Sequence, residues 1–416
     1  MRSPFRRVAL FFCFTLSLAV LSNFGQAQTF AVLHTFTGGS DGAFPDSLLV
    51  DHQGNLYGTA TGGAINWSGT VFKLSRRNSS WILAVLYSFN ADGSGSGPDG
   101  LTVGPDGTFY GTTAGGLGFY FWGSIYNLRP PARACESVLC PWSETLLHGF
   151  GESDGVSPTQ PLVFNGSETI YGTTAMGGAN TWLCGEFGCG TFYEMSRSNG
   201  NWFLTTLYQF GDGSDYVPSG LISDSSGNLY GTAFFGSTGA EYGTVFEFTQ
   251  NQGSWSQTVL YSFQDGNDGR YPGTSLLFDS SGNLYGTTSA GGAGGGGTVF
   301  ELSPSAGGWT FKVLYSFSGG GGPAAALTMD AVGNLYGTTY GDGAYRAGNV
   351  FKLTPSNGSW TYTSLYDFTG GSDGGLPESG VVFDAAGNLY GTTTGGGNAG
   401  GPCGRQGCGV VWEITP

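Results

Sequence analysis

Leu284-Tyr285-Gly286-Thr287-Thr288 is one of seven near-copies of a short string whose tyrosines fall at Tyr57, Tyr110, Tyr171, Tyr230, Tyr285, Tyr336 and Tyr390. The intervals are roughly 50–60 residues, the period of a propeller blade in a chain without helical patterning. The surroundings of the string repeat with it. Upstream lies a short apolar strand that ends near an acid, as in Ser47–Asp51, Leu276–Asp279 and Val381–Asp384. An Asp-x-x-Gly-Asn turn follows at Asp224–Asn228, Asp279–Asn283, Asp330–Asn334 and Asp384–Asn388. Asp and Asn bond their own backbone in turns and Gly supplies positive φ, so this is a tight hairpin. A calcium loop of the EF-hand kind would need further ligands that this spacing lacks.

Downstream of the string, a Gly-rich loop leads to Gly-Thr-Val-Phe-x-Leu at Gly69–Leu74 and Gly297–Leu302, and with a final Phe at Gly243–Phe248. A polar turn then precedes Trp-x-x-x-x-Leu-Tyr-x-Phe, as at Trp255–Phe263 and Trp309–Phe317. Alternating β-branched and aromatic residues, bounded by Gly, Asn, Asp and Ser, read as strands. The expected fold is all-β, a seven-bladed β-propeller of four-stranded antiparallel blades. The last repeat stops at Val410–Pro416 after its third strand, and Phe30–Phe36 offers the missing Leu-x-x-Phe strand. An N-terminal outer strand is therefore expected to complete the last blade and close the ring without an open edge.

Residues 1–27 read as a signal peptide, leaving 28–416 as one propeller domain. Arg2, Arg6 and Arg7 form a basic start, Val8 to Leu21 is apolar, and Gly25-Gln26-Ala27 ends in a small residue. The apolar run is short for a membrane span and no second one follows, so no transmembrane segment is expected in the mature chain. Secretion to the outside, or to the periplasm, follows. The formal net charge of the chain is −15, and loss of three arginines makes the mature form more acidic. Nucleic acid needs clustered Lys and Arg, and is excluded as a partner.

Export also changes how the cysteines read. Beyond Cys13 they form three equally spaced pairs: Cys135 with Cys140, Cys184 with Cys189, and Cys403 with Cys408. An even count in an oxidising compartment suggests disulfides, and local closure of each pair is the simplest of the connectivities. No histidine lies near any pair, so no metal and no cofactor is expected.

Asn-Leu-Tyr-Gly-Thr-Thr, then Gly-Gly, then Gly-Thr-Val-Phe-x-Leu resembles the GloVer tandem repeat of secreted bacterial proteins, over essentially all of residues 29–416. The resemblance implies fold and location, and no established molecular function. Members often carry a C-terminal surface anchor. This chain runs to Ile414-Thr415-Pro416 directly after a strand, so free secretion as a monomer is the expectation.

A residue present in every blade points to seven places, so function should lie where blades depart from consensus. The loops between second and third strands vary most. Their aromatics include Trp67 in blade 1, Phe119, Tyr120, Phe121 and Trp122 in blade 2, Trp182 and Phe187 in blade 3, Phe234, Phe235 and Tyr242 in blade 4, and Tyr340 and Tyr345 in blade 6. Exposed ring clusters mark binding surfaces and suit sugar faces or apolar partner residues. The leading expectation is thus a glycan- or protein-binding module using Trp67, Phe119, Tyr120, Trp122, Trp182, Phe235, Tyr242 and Tyr345, unless these rings fold back as loop cores.

The alternative is a hydrolase or lyase acting on carbohydrates or lactones through axial carboxylates, with a divalent metal. Asp46 and Asp99 align in their inner strands, and Glu378 lies one position earlier in blade 7. Such a group would serve a metal or an acid/base pair. Blades 4, 5 and 7 carry Ser219, Thr274 and Ser379 at the aligned position, so a merely hydrated rim also fits. A purely structural extracellular role is the third reading. His34 and His148 replace the Tyr of Leu-Tyr-x-Phe and His52 lies in a turn, so Ser-His-Asp chemistry has little support.

Overall fold

Each repeat folds as a strand-turn-strand meander because its polar turns fall between runs of alternating residues. In a computed structural model, residues 28–90, 95–115, 122–131, 142–159, 161–178, 184, 188–211, 215–236, 241–398 and 400–416 are described. They form seven antiparallel sheets, one per blade. Blade 1 runs Ala43–Val50, Leu56–Gly62, Thr70–Arg77 and Ser80–Ser88, from the innermost strand outward. The expected signal peptide lies outside the described residues. So do Cys135 and Cys140, with the disulfide expected between them.

The strand patterns follow from blade stacking. A third strand such as Thr298–Ser305 is covered on both faces by neighbouring blades, and it is buried from Thr298 to Phe300 and again at Leu302. The outer strand Gly308–Ser316 alternates exposed and half-buried residues along its first six positions. Apolar clusters fill the gaps between blades. Val71, Leu86 and Phe89 of blade 1 pack with Leu101, Phe109, Tyr126 and Leu128 of blade 2.

Closure uses the expected strand. Thr29–Thr35 pairs antiparallel with Val410–Thr415, from Thr29 opposite Thr415 to Thr35 opposite Val410. Phe30 stacks on Tyr366 of blade 6 at 3.7 Å between ring centroids, repeating the Tyr261–Phe311 and Tyr315–Tyr362 stacks between earlier blades.

The Gly-x-Asp-Gly-x-x-Pro segments join the blades. The residue before the inner-strand proline is left-handed at Phe44, Ser157, Val217, Tyr271 and Leu376, with φ between 54° and 60°. Its N–H donates to a carbonyl of the preceding blade, as in Tyr271 N to Tyr242 O at 2.8 Å and Leu376 N to Ala347 O at 2.7 Å. The proline then packs against the glycine that opens the previous third strand. A methyl on Gly243 would lie 2.5 Å from Pro272 Cδ.

Candidate functional site

The inner strands begin beside the loops between second and third strands, since Ala43 pairs with Gly62. The variable loops therefore share a face with the upper end of the axial cavity. That cavity, of about 650 Å³, is lined by residues from all seven blades. Asp46 and Asp99 come from blades 1 and 2, and Glu378 from blade 7. Ala175, Val217 and Phe234 come from blades 3 and 4, and Ala324, Ala325 and Ala326 from blade 6.

Asp46 reaches the cavity because its neighbour takes over its structural task. In blades 4 and 5 the aligned hydroxyls bond to the second strand, Ser219 Oγ to Thr232 Oγ1 at 2.6 Å and Thr274 Oγ1 to Thr287 Oγ1 at 3.0 Å. In blade 1 Ser47 makes that bond, to Thr59 Oγ1 at 3.1 Å. The carboxyls of Asp46 and Asp99 lie close enough to perturb each other. Protein encloses both on most sides, yet each keeps an edge on the cavity. Burial, together with the Asp99 charge, pushes the Asp46 carboxyl well above its ordinary value, and burial also raises Asp99. Two carboxyls held together in a buried setting resist ionising together. Glu378 is the most open of the three, and partial burial plus the Asp46 charge raise it. Among the described residues no three His, Cys, Asp or Glu side chains form a metal-holding group.

Across the cavity stands an aromatic wall. Phe234 stacks on Tyr271 at 4.9 Å and 8°, and meets Phe235 edge-on at 4.8 Å. Phe235 in turn stacks on Tyr216 at 5.0 Å. Arg270 backs the group, its guanidinium 5.2 Å from the Tyr271 ring and its Nη1 donating to both Asp265 oxygens at 2.8 and 2.9 Å.

The expected platform residues separate into three groups. Trp67 is 47% exposed and Tyr345 63% exposed, both on the loop face. Trp67 is backed by Phe44 at 6.4 Å, and it lies in a 3-10 turn, Ile65–Trp67, beside an equally open Ile65. Trp122, Phe235 and Tyr242 fold back: Trp122 packs against the core between blades 2 and 3, and Tyr242 against that between blades 4 and 5. Phe119, Tyr120 and Trp182 lie outside the described residues, as do Phe121 and Phe187. Tyr271 and Phe44 were missed, although a signal existed: both stand immediately before an inner-strand proline, beside the loop aromatics they support.

The histidines have structural partners. His34 Nε2 meets Asp41 Oδ2 at 3.1 Å and His148 Nε2 meets Asp154 Oδ2 at 2.7 Å. Tyr261 and Tyr366 make the same contact to Asp268 and Asp373 at 3.0 and 3.1 Å. Of the three expected cysteine pairs, Cys184 with Cys189 and Cys403 with Cys408 form disulfides, each with Cα atoms 5.3 Å apart. Cys135 and Cys140 lie outside the described residues. Two clefts on the opposite face, about 420 and 630 Å³, are walled by repeat residues such as Tyr171, Asp224 and Trp255, or Tyr285, Asp279 and Trp360. Being built from consensus, they distinguish no blade. No helix among the described residues is long and apolar enough to cross a membrane.

Among curated proteins, none matches this sequence. Among solved structures it is similar to extracellular domains of two B. thetaiotaomicron proteins named as hybrid two-component systems. The TM-scores are 0.53 and 0.51, each at 12% identity. The matches cover 92% and 93% of this chain but 39% and 41% of theirs, so this chain spans about two fifths of those chains. At that identity the likeness is one of fold. The Gloeobacter/Verrucomicrobia repeat matches residues 20–182 and 180–403, and the chain belongs to that family.

Proposed function

We propose that the chain is an exported binding module whose loop face recognises glycan. The carrying observation is the open Trp67 ring, 47% exposed and supported from behind by Phe44, on the face where the axial cavity ends. A flat, rigid ring offers the apolar face of a sugar a large contact at little entropic cost. Its neighbourhood is strained: Ala64, Asn66 and Trp67 all have positive φ, from 53° to 60°. Strain of this kind concentrates where a loop is held for a purpose. Export is supported by the basic-then-apolar start of the sequence and by two short-range disulfides. The mature chain, residues 28–416, should bind members of a glycan array, with Trp67→Ala weakening binding roughly tenfold, a loss of about 1.4 kcal/mol. A folded protein that retains no glycan at all would sink this reading, and capture of a purified protein ligand instead would replace it.

A second reading is favoured by one specific feature, the neighbouring carboxyls of Asp46 and Asp99 on the cavity wall. Two adjacent carboxyls of raised pKa can supply a general acid and a general base side by side, which suits attack of water on a lactone carbonyl. Asp99→Asn should then abolish turnover of a chromogenic lactone. Absence of turnover by the wild-type protein across pH 4 to 9 would remove it.

A further inference from the structure

We propose that the axial cavity is a separate subsite that takes one neutral sugar ring, its apolar face on Phe234 and its hydroxyls on Asp46 and Asp99. The inference rests on the glycan reading above and names the site and ligand class within it. Three observations carry it.

The first is size. About 650 Å³ lies within the range of small-molecule sites and accommodates one pyranose with its water. The second is the division of the lining into unlike walls. Phe234, with Val217 and Ala175, makes an apolar wall from blades 3 and 4, and the carboxyls lie on blades 7, 1 and 2. Phe234 does not depend on a ligand for its position, because Tyr271 and Phe235 hold its ring from two directions. The third is the charge type. Among the described residues the lining contains no Lys, Arg or His, so uronates and phosphates meet like charge there. Burial shifts Asp46 and Asp99 toward their neutral forms, which weakens any hold on a cation. A hydroxyl both donates and accepts, and it fits a wall that does both.

These residues also lie where the repeat stops repeating. Ser219 and Thr274 spend their hydroxyls on the second strand, whereas Ser47 releases Asp46 from that duty. Fold maintenance therefore does not account for the Asp46 carboxyl.

The test uses the mature protein with methyl glycosides of neutral hexoses and N-acetylhexosamines, followed by saturation-transfer NMR and calorimetry. A methyl uronate, tetramethylammonium and calcium are run alongside. A neutral glycoside should bind, and Phe234→Ala should weaken it roughly tenfold and Asp46→Asn roughly fivefold. Val332→Ser, on the opposite face, should leave it unchanged. Phe234→Leu, which keeps the wall apolar but removes the flat ring, serves if the alanine variant melts early, and should weaken binding by about threefold or more. Glycan binding that survives Phe234→Ala and Asp46→Asn but is lost in Trp67→Ala overturns the axial subsite and leaves the surface reading standing. Binding of tetramethylammonium, calcium or the uronate in place of neutral sugar overturns the ligand class. Absence of any glycan or glycoside binding overturns both.

Discussion

Each residue of Tyr-Gly-Thr has its own reason to recur. The tyrosine hydroxyl donates to the turn aspartate six residues earlier, as in Tyr285 to Asp279 at 3.2 Å and Tyr390 to Asp384 at 3.0 Å. The glycine makes room for the ring of the third strand: a methyl on Gly286 would lie 2.4 Å from Phe300 Cζ. The threonine ties neighbouring inner strands, with Thr232 Oγ1 donating to Thr274 O at 3.1 Å and Thr392 Oγ1 to Asp46 O at 3.3 Å. Gly286→Ala is accordingly expected to destabilise by about 1–3 kcal/mol in urea denaturation, because the packed ring cannot move aside. Gly307→Ala, with open space around it, should stay within about 0.5 kcal/mol of wild type. The carboxyls divide by sign. Burial alone would raise Asp51, Asp279, Asp330 and Asp384, but hydrogen bonds from the turn asparagines and tyrosines hold them below the ordinary value near 3.8. The stability they contribute is present above pH 3.8 and lost as pH falls through their lower folded values. Asp46 is the reverse: its raised carboxyl favours folding below 3.8 and costs stability as pH rises. Asp46→Asn should therefore raise the melting temperature at pH 7 and lose that advantage near pH 3.5, by calorimetry at both values. A melting temperature lowered at pH 7 would contradict the burial of the Asp46 carboxyl beside Asp99.

At the scale of elements, strand identity was legible because each turn carries its own chemistry. The joints between blades were not. Gly-x-Asp-Gly-x-x-Pro reads locally as a turn, and its aspartate does organise one: Asp373 accepts from Thr369 N at 2.8 Å and from Tyr366. What the local reading omits is the proline's partner, a glycine in the preceding repeat, as with Pro98 against Gly69. No spacing rule links residues that meet only once the blades stack. The same limit applied to the site. Alignment brought Asp46 and Asp99 together, but Phe234 and Phe235 are adjacent at a strand end and both pack on Tyr271, Phe234 face to face and Phe235 edge-on. Of the two, only Phe234 lines the axial cavity, and no spacing in the sequence separates them. The two disulfides were legible as local pairs, and their placement adds a purpose. Cys189 O accepts from Val217 N and Cys408 O from Phe44 N, so each disulfide braces a carbonyl that joins two blades. Replacing Cys403 and Cys408 by serine should cost about 2 kcal/mol in urea denaturation, the loop-entropy value for so short a ring. The far-ultraviolet spectrum should be unchanged, since the closure core retains Phe36, Leu48, Phe72 and Val411.

The whole molecule is a ring in which each blade buries its faces only against two neighbours, so the weakest joint governs how it opens. Six joints lie between blades continuous in sequence. In the seventh blade the outer strand, Thr29–Thr35, comes from the opposite end of the chain and is held to Val410–Thr415 by pairing and packing, with no turn joining the two. Its anchor is Phe30, which stacks on Tyr366, lies edge-on to Phe368 at 5.9 Å and sits 6.4 Å from Trp412. Phe311 makes the same kind of stack in blade 5, but its strand is tied to its own blade by a two-residue turn at Ala306-Gly307. The two positions have similar local contacts and different consequences. Phe311→Ala removes packing from a strand that cannot leave, whereas Phe30→Ala loosens a strand whose departure exposes the edge of Val410–Thr415 and unseats the faces of blades 6 and 1. Both should destabilise by about 2–4 kcal/mol, as large-to-small changes in packed rings do. Hydrogen exchange separates them. Phe30→Ala should selectively speed exchange at Thr29–Thr35 and Val410–Thr415 under native conditions, through sub-global opening at the closure. Phe311→Ala should leave those amides as protected as the global stability allows. Equal acceleration around the ring in both variants would mean that the closure is no weaker than the joints within the chain, and that the propeller opens as one cooperative unit.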